Sequence, residues 1–134
     1  MSGVVELGEL IKHMAPILDD ADYVFCTVPG NLTDYAHLQP LGSFMEHEGL
    51  TLIVSAASAE RAHLPFDGIY KRITLTVHSS LDAVGLTAAI ATKLTSVGIS
   101  ANVVAAYYHD HVFIQANRAT DALQSLVELV DAHS

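Results

Sequence analysis

Apolar positions in the first fourteen residues recur with helical spacing. Leu7, Leu10, Ile11 and Met14 follow i, i+3, i+4, i+7, which places them on one face of a helix over about Val4–Met14. Pro16 lies just beyond its expected end. Tyr23–Val28 is a β-branched and aromatic run closed by Pro29-Gly30-Asn31, the signature of a strand entering a turn. Residues 31–41 show no clear period and read as loop. A short strand at about Ser43–Glu48 and a second at Leu50–Ser55 pair as a hairpin across Glu48-Gly49. Ala56–His63 reads as a short helix. Leu64-Pro65-Phe66-Asp67-Gly68 then interrupts regular structure and is the candidate linker.

The second half has a sharper pattern. In Ile69–His78, Ile73, Leu75 and Val77 alternate against Arg72, Thr74 and Thr76, as in a strand with one buried face. After a loop at Ser79-Ser80-Leu81, a helix is predicted over about Ala83–Val97, with Leu86, Ile90, Leu94 and Val97 as its buried stripe. Ser79 and Asp82 have capping-box spacing, and Gly98 suits the C′ position. Ile99–Ala105 alternates again, with Ile99, Ala101, Val103 and Ala105 opposite Ser100, Asn102 and Val104. A turn near Tyr108–Asp110 leads into a strand over His111–Gln115. Asn117 can cap a last helix that turns Ala119, Leu123, Leu126 and Val130 inward. This β-α-β-β-α order predicts the ferredoxin-like α+β class, with an antiparallel sheet and helices on one face. The first half reads more loosely as α-β-β-β, and no repeat of fixed period is visible. The expected organisation is two units, residues 1–66 and 67–134, packed as one compact body.

Composition narrows the functional classes. In 134 residues, 51% are hydrophobic and 16% charged, which excludes an intrinsically disordered chain. Fifteen acidic residues against six basic ones give a net charge of −9, which argues against nucleic acid and anionic membranes as partners. No apolar run reaches the roughly 18 residues of a membrane span. The start, MSGVVELGEL, does not read as a signal peptide, and the single cysteine, Cys26, makes a cytoplasmic setting the expectation.

Eight histidines invite a metal reading. His109 and His111 share a face if they lie on a strand, and His78 is the candidate third nitrogen. A tight turn at His109-Asp110-His111 would instead spread the rings, leaving hydrogen-bonded histidines, ligand contacts or a pH sensor as the alternatives. His78, Ser79 and Asp82 are sequence neighbours that point to different sides, and no Gly-x-Ser-x-Gly elbow exists, so no catalytic residue is assigned. Asp19-Asp20-Asp22 and Glu46/Glu48 read as solvated acidic patches, Cys26 as an inert core thiol, and Tyr107-Tyr108 as packing aromatics. With no Walker loop, Gly-x-Gly-x-x-Gly or Cys-x-x-Cys, no cofactor is expected.

One stretch resembles a known family. Asp82-Ala83-Val84-Gly85-Leu86, followed by Ile90, Leu94, Gly98-Ile99 and Asn102, resembles the ACT domain, whose first-strand exit commonly reads Asp-x-Pro-Gly-Leu/Val. Val84 stands where proline is usual. Glu48–Ile53, Val77–Thr87 and Tyr107–Phe113 extend the resemblance to small bacterial proteins with paired ACT-like units, related to aspartate kinase ACT regions and CASTOR-type arginine sensors. The resemblance implies a regulatory or sensing protein without catalysis. It further implies a small-molecule ligand, such as an amino acid, held at a junction of ACT units. Carried over by position, Asp82 and Asn102 are the polar contacts and Val84, Gly85 and Leu86 the backbone contacts. A helix start suits a ligand carboxylate, and an asparagine both donates and accepts. A homodimer and a regulated enzyme partner follow as expectations. An interaction module for an amino-acid-metabolism enzyme, or a metal site on His78, His109 and His111, are the alternatives.

Overall fold

The computed structural model describes residues 3–76 and 85–134. Packing assigns them to two units, one of Ala21–Tyr70 and one of Met1–Asp20 with Lys71–Ser134. The boundary proposed at 66/67 follows chain order, whereas these packing units place the N-terminal helix with the C-terminal half.

In the discontinuous unit, α1 (Gly3–His13) leads into β1 (Pro16–Leu18). The second half supplies β5 (Tyr70–Leu75), α3 (Leu86–Ser96), β6 (Asn102–Ala105), β7 (Asp110–Gln115) and α4 (Ala119–Asp131). Strand β1 runs antiparallel to β5, with Pro16 opposite Leu75 and Leu18 opposite Ile73. Next across the sheet comes β7, then β6, whose Asn102 faces Phe113 and whose Ala105 faces Asp110. Helices α1, α3 and α4 pack on one another. The core joins Ile11 and Met14 to Leu86, Ile90 and Leu94 of α3, Ala122 and Leu126 of α4, and Ile73, Leu75, Val112 and Ile114 of the strands. Each large aliphatic among them removes enough apolar surface from water to contribute about 1.5–3 kcal/mol.

The other unit contains β2 (Tyr23–Val28), β3 (Gly42–Met45), β4 (Leu50–Ser55) and α2 (Ala56–Arg61). Its sheet runs β3-β4-β2, and both pairings are antiparallel. The predicted hairpin forms: Met45 faces Leu50, and Glu46 and Gly49 exchange backbone hydrogen bonds across the turn. Val24, Cys26, Val28, Leu50, Leu52 and Val54 form the sheet's buried layer, closed by Ala56 and Ala59.

Several expectations are corrected. Residues 31–41 are not plain loop, because Leu32–Leu38 is a 3-10 helix. Asn31 starts it: its Oδ1 accepts from Thr33 N at 3.1 Å, and its own N–H donates to Asp34 Oδ2 at 3.2 Å. Pro16 lies beyond the end of α1, as its position suggested, and also opens a short strand that pairs with β5 and packs against α4. The candidate linker does interrupt regular structure, with no helix or strand over residues 64–68, and its Leu64 and Phe66 lie against the core of the Ala21–Tyr70 unit. Val97 leaves the buried stripe and is 41% exposed. Helix α3 ends at Ser96 in a Schellman motif: Gly98 takes φ +75°, its N–H reaches Thr95 O, and Ile99 N reaches Leu94 O. Asn117 does not cap α4. A 3-10 turn over Ala116–Arg118 comes first, and the Arg118 guanidinium donates to Val97 O at 3.1 Å, at the C-terminus of α3. The proposed Ser79–Asp82 capping box lies outside the described residues.

Candidate functional site

The resemblance placed five residues in a ligand site. Asp82 and Val84 lie outside the described residues. Gly85 holds the N-cap position of α3 at φ +98°, a conformation that favours glycine. A Cβ there would come within 3.0 Å of Leu7 Cδ2, so α1 packs close over this turn. Gly85 brings no capping side chain to the first-turn N–H groups of α3. Leu86 is buried and belongs to the core, so only its backbone is available for a ligand. A groove of about 610 Å³ runs beside this turn, lined by Leu7 and Ile11 of α1, by Gly85, and by Ala88, Ala89 and Thr92 of α3.

Asn102 is exposed at the start of β6, the edge strand of its sheet among the described residues. Its Nδ2 donates to Phe113 O at 3.2 Å, across the strand pair. Gly85 and Asn102 stand on either side of α3 in the chain. Helix α3 has 11 residues, so its ends lie about 16 Å apart at 1.5 Å per residue. Gly85 sits at the first end, and the chain reaches Asn102 only after leaving the second.

The histidine cluster divides at a turn. Ala106 N donates to His109 O at 3.1 Å, and β7 starts at Asp110, so His109 closes the turn while His111 lies in the strand. The Nδ1 of His111 is 3.0 Å from Thr74 Oγ1 on β5. Burial, then Arg72 and His109, hold His111 below its usual range, and Asp110 pulls the other way. Asp110 is only 8% exposed. Burial raises its carboxyl above the ordinary range, and His111 partly offsets that. Among the described residues no three His, Cys, Asp or Glu side chains group as metal ligands. His78 lies outside them.

Other candidates resolve as follows. Tyr107 and Tyr108 are exposed rather than packed into a core, and their rings meet edge-on at 5.0 Å. Asp19 is not merely solvated, because Arg72 Nη2 lies 3.0 Å from its Oδ2. Cys26 is buried, and desolvation raises its thiol, which keeps the reactive thiolate scarce. None of the described helices is long and apolar enough to cross a membrane.

Strand β5, helix α3, hairpin β6–β7 and helix α4 form the β-α-β-β-α core of a ferredoxin-like α+β domain. The chain belongs to the ACT domain family and carries two such domains in tandem, with family models described as ACT domain matching residues 2–71 and 70–128. A Vibrio cholerae protein described as of unknown function and a possible transport protein is 53% identical. That match covers 96% of this chain and 99% of that chain, with a TM-score of 0.87. A protein from Agrobacterium tumefaciens is 13% identical at TM-score 0.72, over 87% of this chain and 89% of that chain. The ligand-free regulatory subunit of aspartate kinase from Thermus thermophilus is 12% identical at TM-score 0.63, over 85% and 95% of the two chains. At such identities the last two likenesses are of fold. No curated protein matches the sequence significantly.

Proposed function

We propose that this chain is a regulatory ACT-domain protein that binds a small molecule of the amino-acid class and performs no catalysis itself. Asp82 and Asn102 make its polar contacts; Val84, Gly85 and Leu86 offer backbone. The observation that supports this reading is the separation of Gly85 from Asn102 by the length of α3. A ligand touching both needs the helix start of one ACT unit and the strand edge of another. The free edge of β6 offers such a junction, and a homodimer supplies the second unit. The setting is the cytoplasm, and any regulatory output passes through a partner enzyme.

A thermal-shift scan against the twenty amino acids tests this, with zinc and EDTA as controls. Ligand at about 100 times its Kd adds roughly 2.7 kcal/mol, a rise of several degrees. One or two selective hits are expected, and both Asp82→Ala and Asn102→Ala should abolish them. Mixing and re-associating those two variants should restore binding at a fraction of the sites, because each mixed dimer regains one intact junction. A flat scan on a dimeric, folded chain overturns the reading.

A further inference from the structure

The Ala21–Tyr70 unit contains a second cleft, of about 410 Å³, within the range of small-molecule sites. It shares no residue with the ligand site proposed above and does not depend on that reading. Phe25 and Thr27 of β2 form one side, and Phe66, Asp67, Gly68 and Tyr70 form the other. The Phe25 and Tyr70 rings stand at 77° with centroids 5.3 Å apart, making two walls of a corner. The segment carrying Phe66 is anchored, because Leu64 and Phe66 pack on the core and Leu64 N donates to Ala59 O at 2.9 Å.

The lining chemistry selects for charge. Ring faces carry negative electrostatic potential and attract cations, most of all when water is partly excluded. Asp67 is exposed and contributes a carboxylate. Among the described residues Asp67 is the only charged side chain lining the cleft, and the Ala21–Tyr70 unit carries six carboxylates against Arg61, with Lys71 and Arg72 following Tyr70. An anion is repelled here, and a neutral guest lacks the charge–charge attraction to Asp67. We propose that this cleft binds a small organic cation, an alkylammonium or guanidinium group seated against Phe25, Phe66 and Tyr70 with Asp67 as its counter-charge.

Titration of the ¹⁵N-labelled full chain with choline, with agmatine and with the neutral choline isostere 3,3-dimethylbutan-1-ol tests the proposal. At least one cation should shift the amides of Phe25, Thr27, Asp67 and Tyr70 saturably, and the tighter of the two names the headgroup. The neutral isostere should bind at least several-fold more weakly than choline. Phe25→Leu should weaken the cation by roughly two- to thirty-fold, the span of a cation–π contact, and Asp67→Asn, at an exposed position, by roughly two- to five-fold. Should Phe25→Leu lose its native spectrum, Asp67→Asn alone decides. Absence of saturable shifts with either cation, equal binding of the neutral isostere, or unchanged affinity in Asp67→Asn overturns the proposal.

Discussion

The two halves of this chain repeat one topology with different cover. Strand β2, the 3-10 helix, the β3–β4 hairpin and α2 follow the same order as β5, α3, the β6–β7 hairpin and α4. Strand orders match too, β3-β4-β2 against β6-β7-β5. Even the first five positions of β4 and β7 share one burial pattern, half-buried only at the second. The helical layer differs. In the second repeat α3 and α4 are 11 and 13 residues long and place Leu86, Ile90, Leu94 and Leu126 in the core. In the first, a seven-residue 3-10 helix has no buried residue, and the six-residue α2 closes the core with Ala56 and Ala59. One strand order therefore tolerates two very different helical covers.

The largest expected effect tests that asymmetry. Ile90→Ala should cost about 2–5 kcal/mol, the usual range for emptying a buried aliphatic site. Ala59→Gly, at an equally buried helical position of the thin layer, should cost only about 1–2 kcal/mol, from helix propensity and one methyl group. Thermal and urea denaturation of both variants decide the point. Equal losses would mean that α2 holds its core as firmly as α3 does. Native-state hydrogen exchange should agree, with β2 and β4 amides opening before those of β7.

A smaller contrast concerns how the helices start. Asn31→Ala removes a side-chain cap and should cost about 1 kcal/mol. Asn117→Ala should cost less than about 0.5 kcal/mol, as at an ordinary surface site, because α4 takes Arg118 and not Asn117 as its N-cap. Denaturant midpoints of the two variants would invert the comparison if Asn117 proved the more costly.

The same pair shows what the sequence discloses. Asn31 and Asp34 carry a legible cap signature, yet the segment lacks an apolar period, and a period-based reading passes over it. Strands β2 and β4 are readable to the residue because their β-branched runs end at Pro29-Gly30 and at the Ala-rich start of α2. Strand β1 is not, because three residues carry little pattern and it is held by pairing with β5 and packing against α4. Val97 and Asn117 mislead for a shared reason: a local end motif overrides helical spacing. Gly85 and Asn102 are legible as residue types. Their separation within one unit follows only when α3 is placed between them. The Phe25–Tyr70 corner has no sequence signature, since strand pairing of Tyr23 with Tyr70 creates it.

The smallest expected effect is a pH dependence confined to the second repeat. Where the first repeat has the buried apolar Leu50, the second has Asp110. His111 titrates below its usual value because of burial first, then Arg72 and His109. Its neutral form therefore contributes stability that is complete above the ordinary histidine range near pH 6.5. That contribution is lost as pH falls through its lowered folded value. Asp110 is raised by burial, so its sign is opposite: its contribution is complete below the ordinary aspartate range and is lost as pH rises through its raised folded value. The two therefore oppose each other on acidification. Each is separable by difference from the parent chain. His111→Gln should lessen the destabilisation on acidification from pH 7.5 toward the ordinary aspartate range near pH 4, and Asp110→Asn should deepen it by removing the opposing gain. Denaturant midpoints across that range decide. Parallel curves for all three proteins would show that neither side chain senses its burial, and the second repeat would then be as indifferent to pH as the Leu50 position of the first.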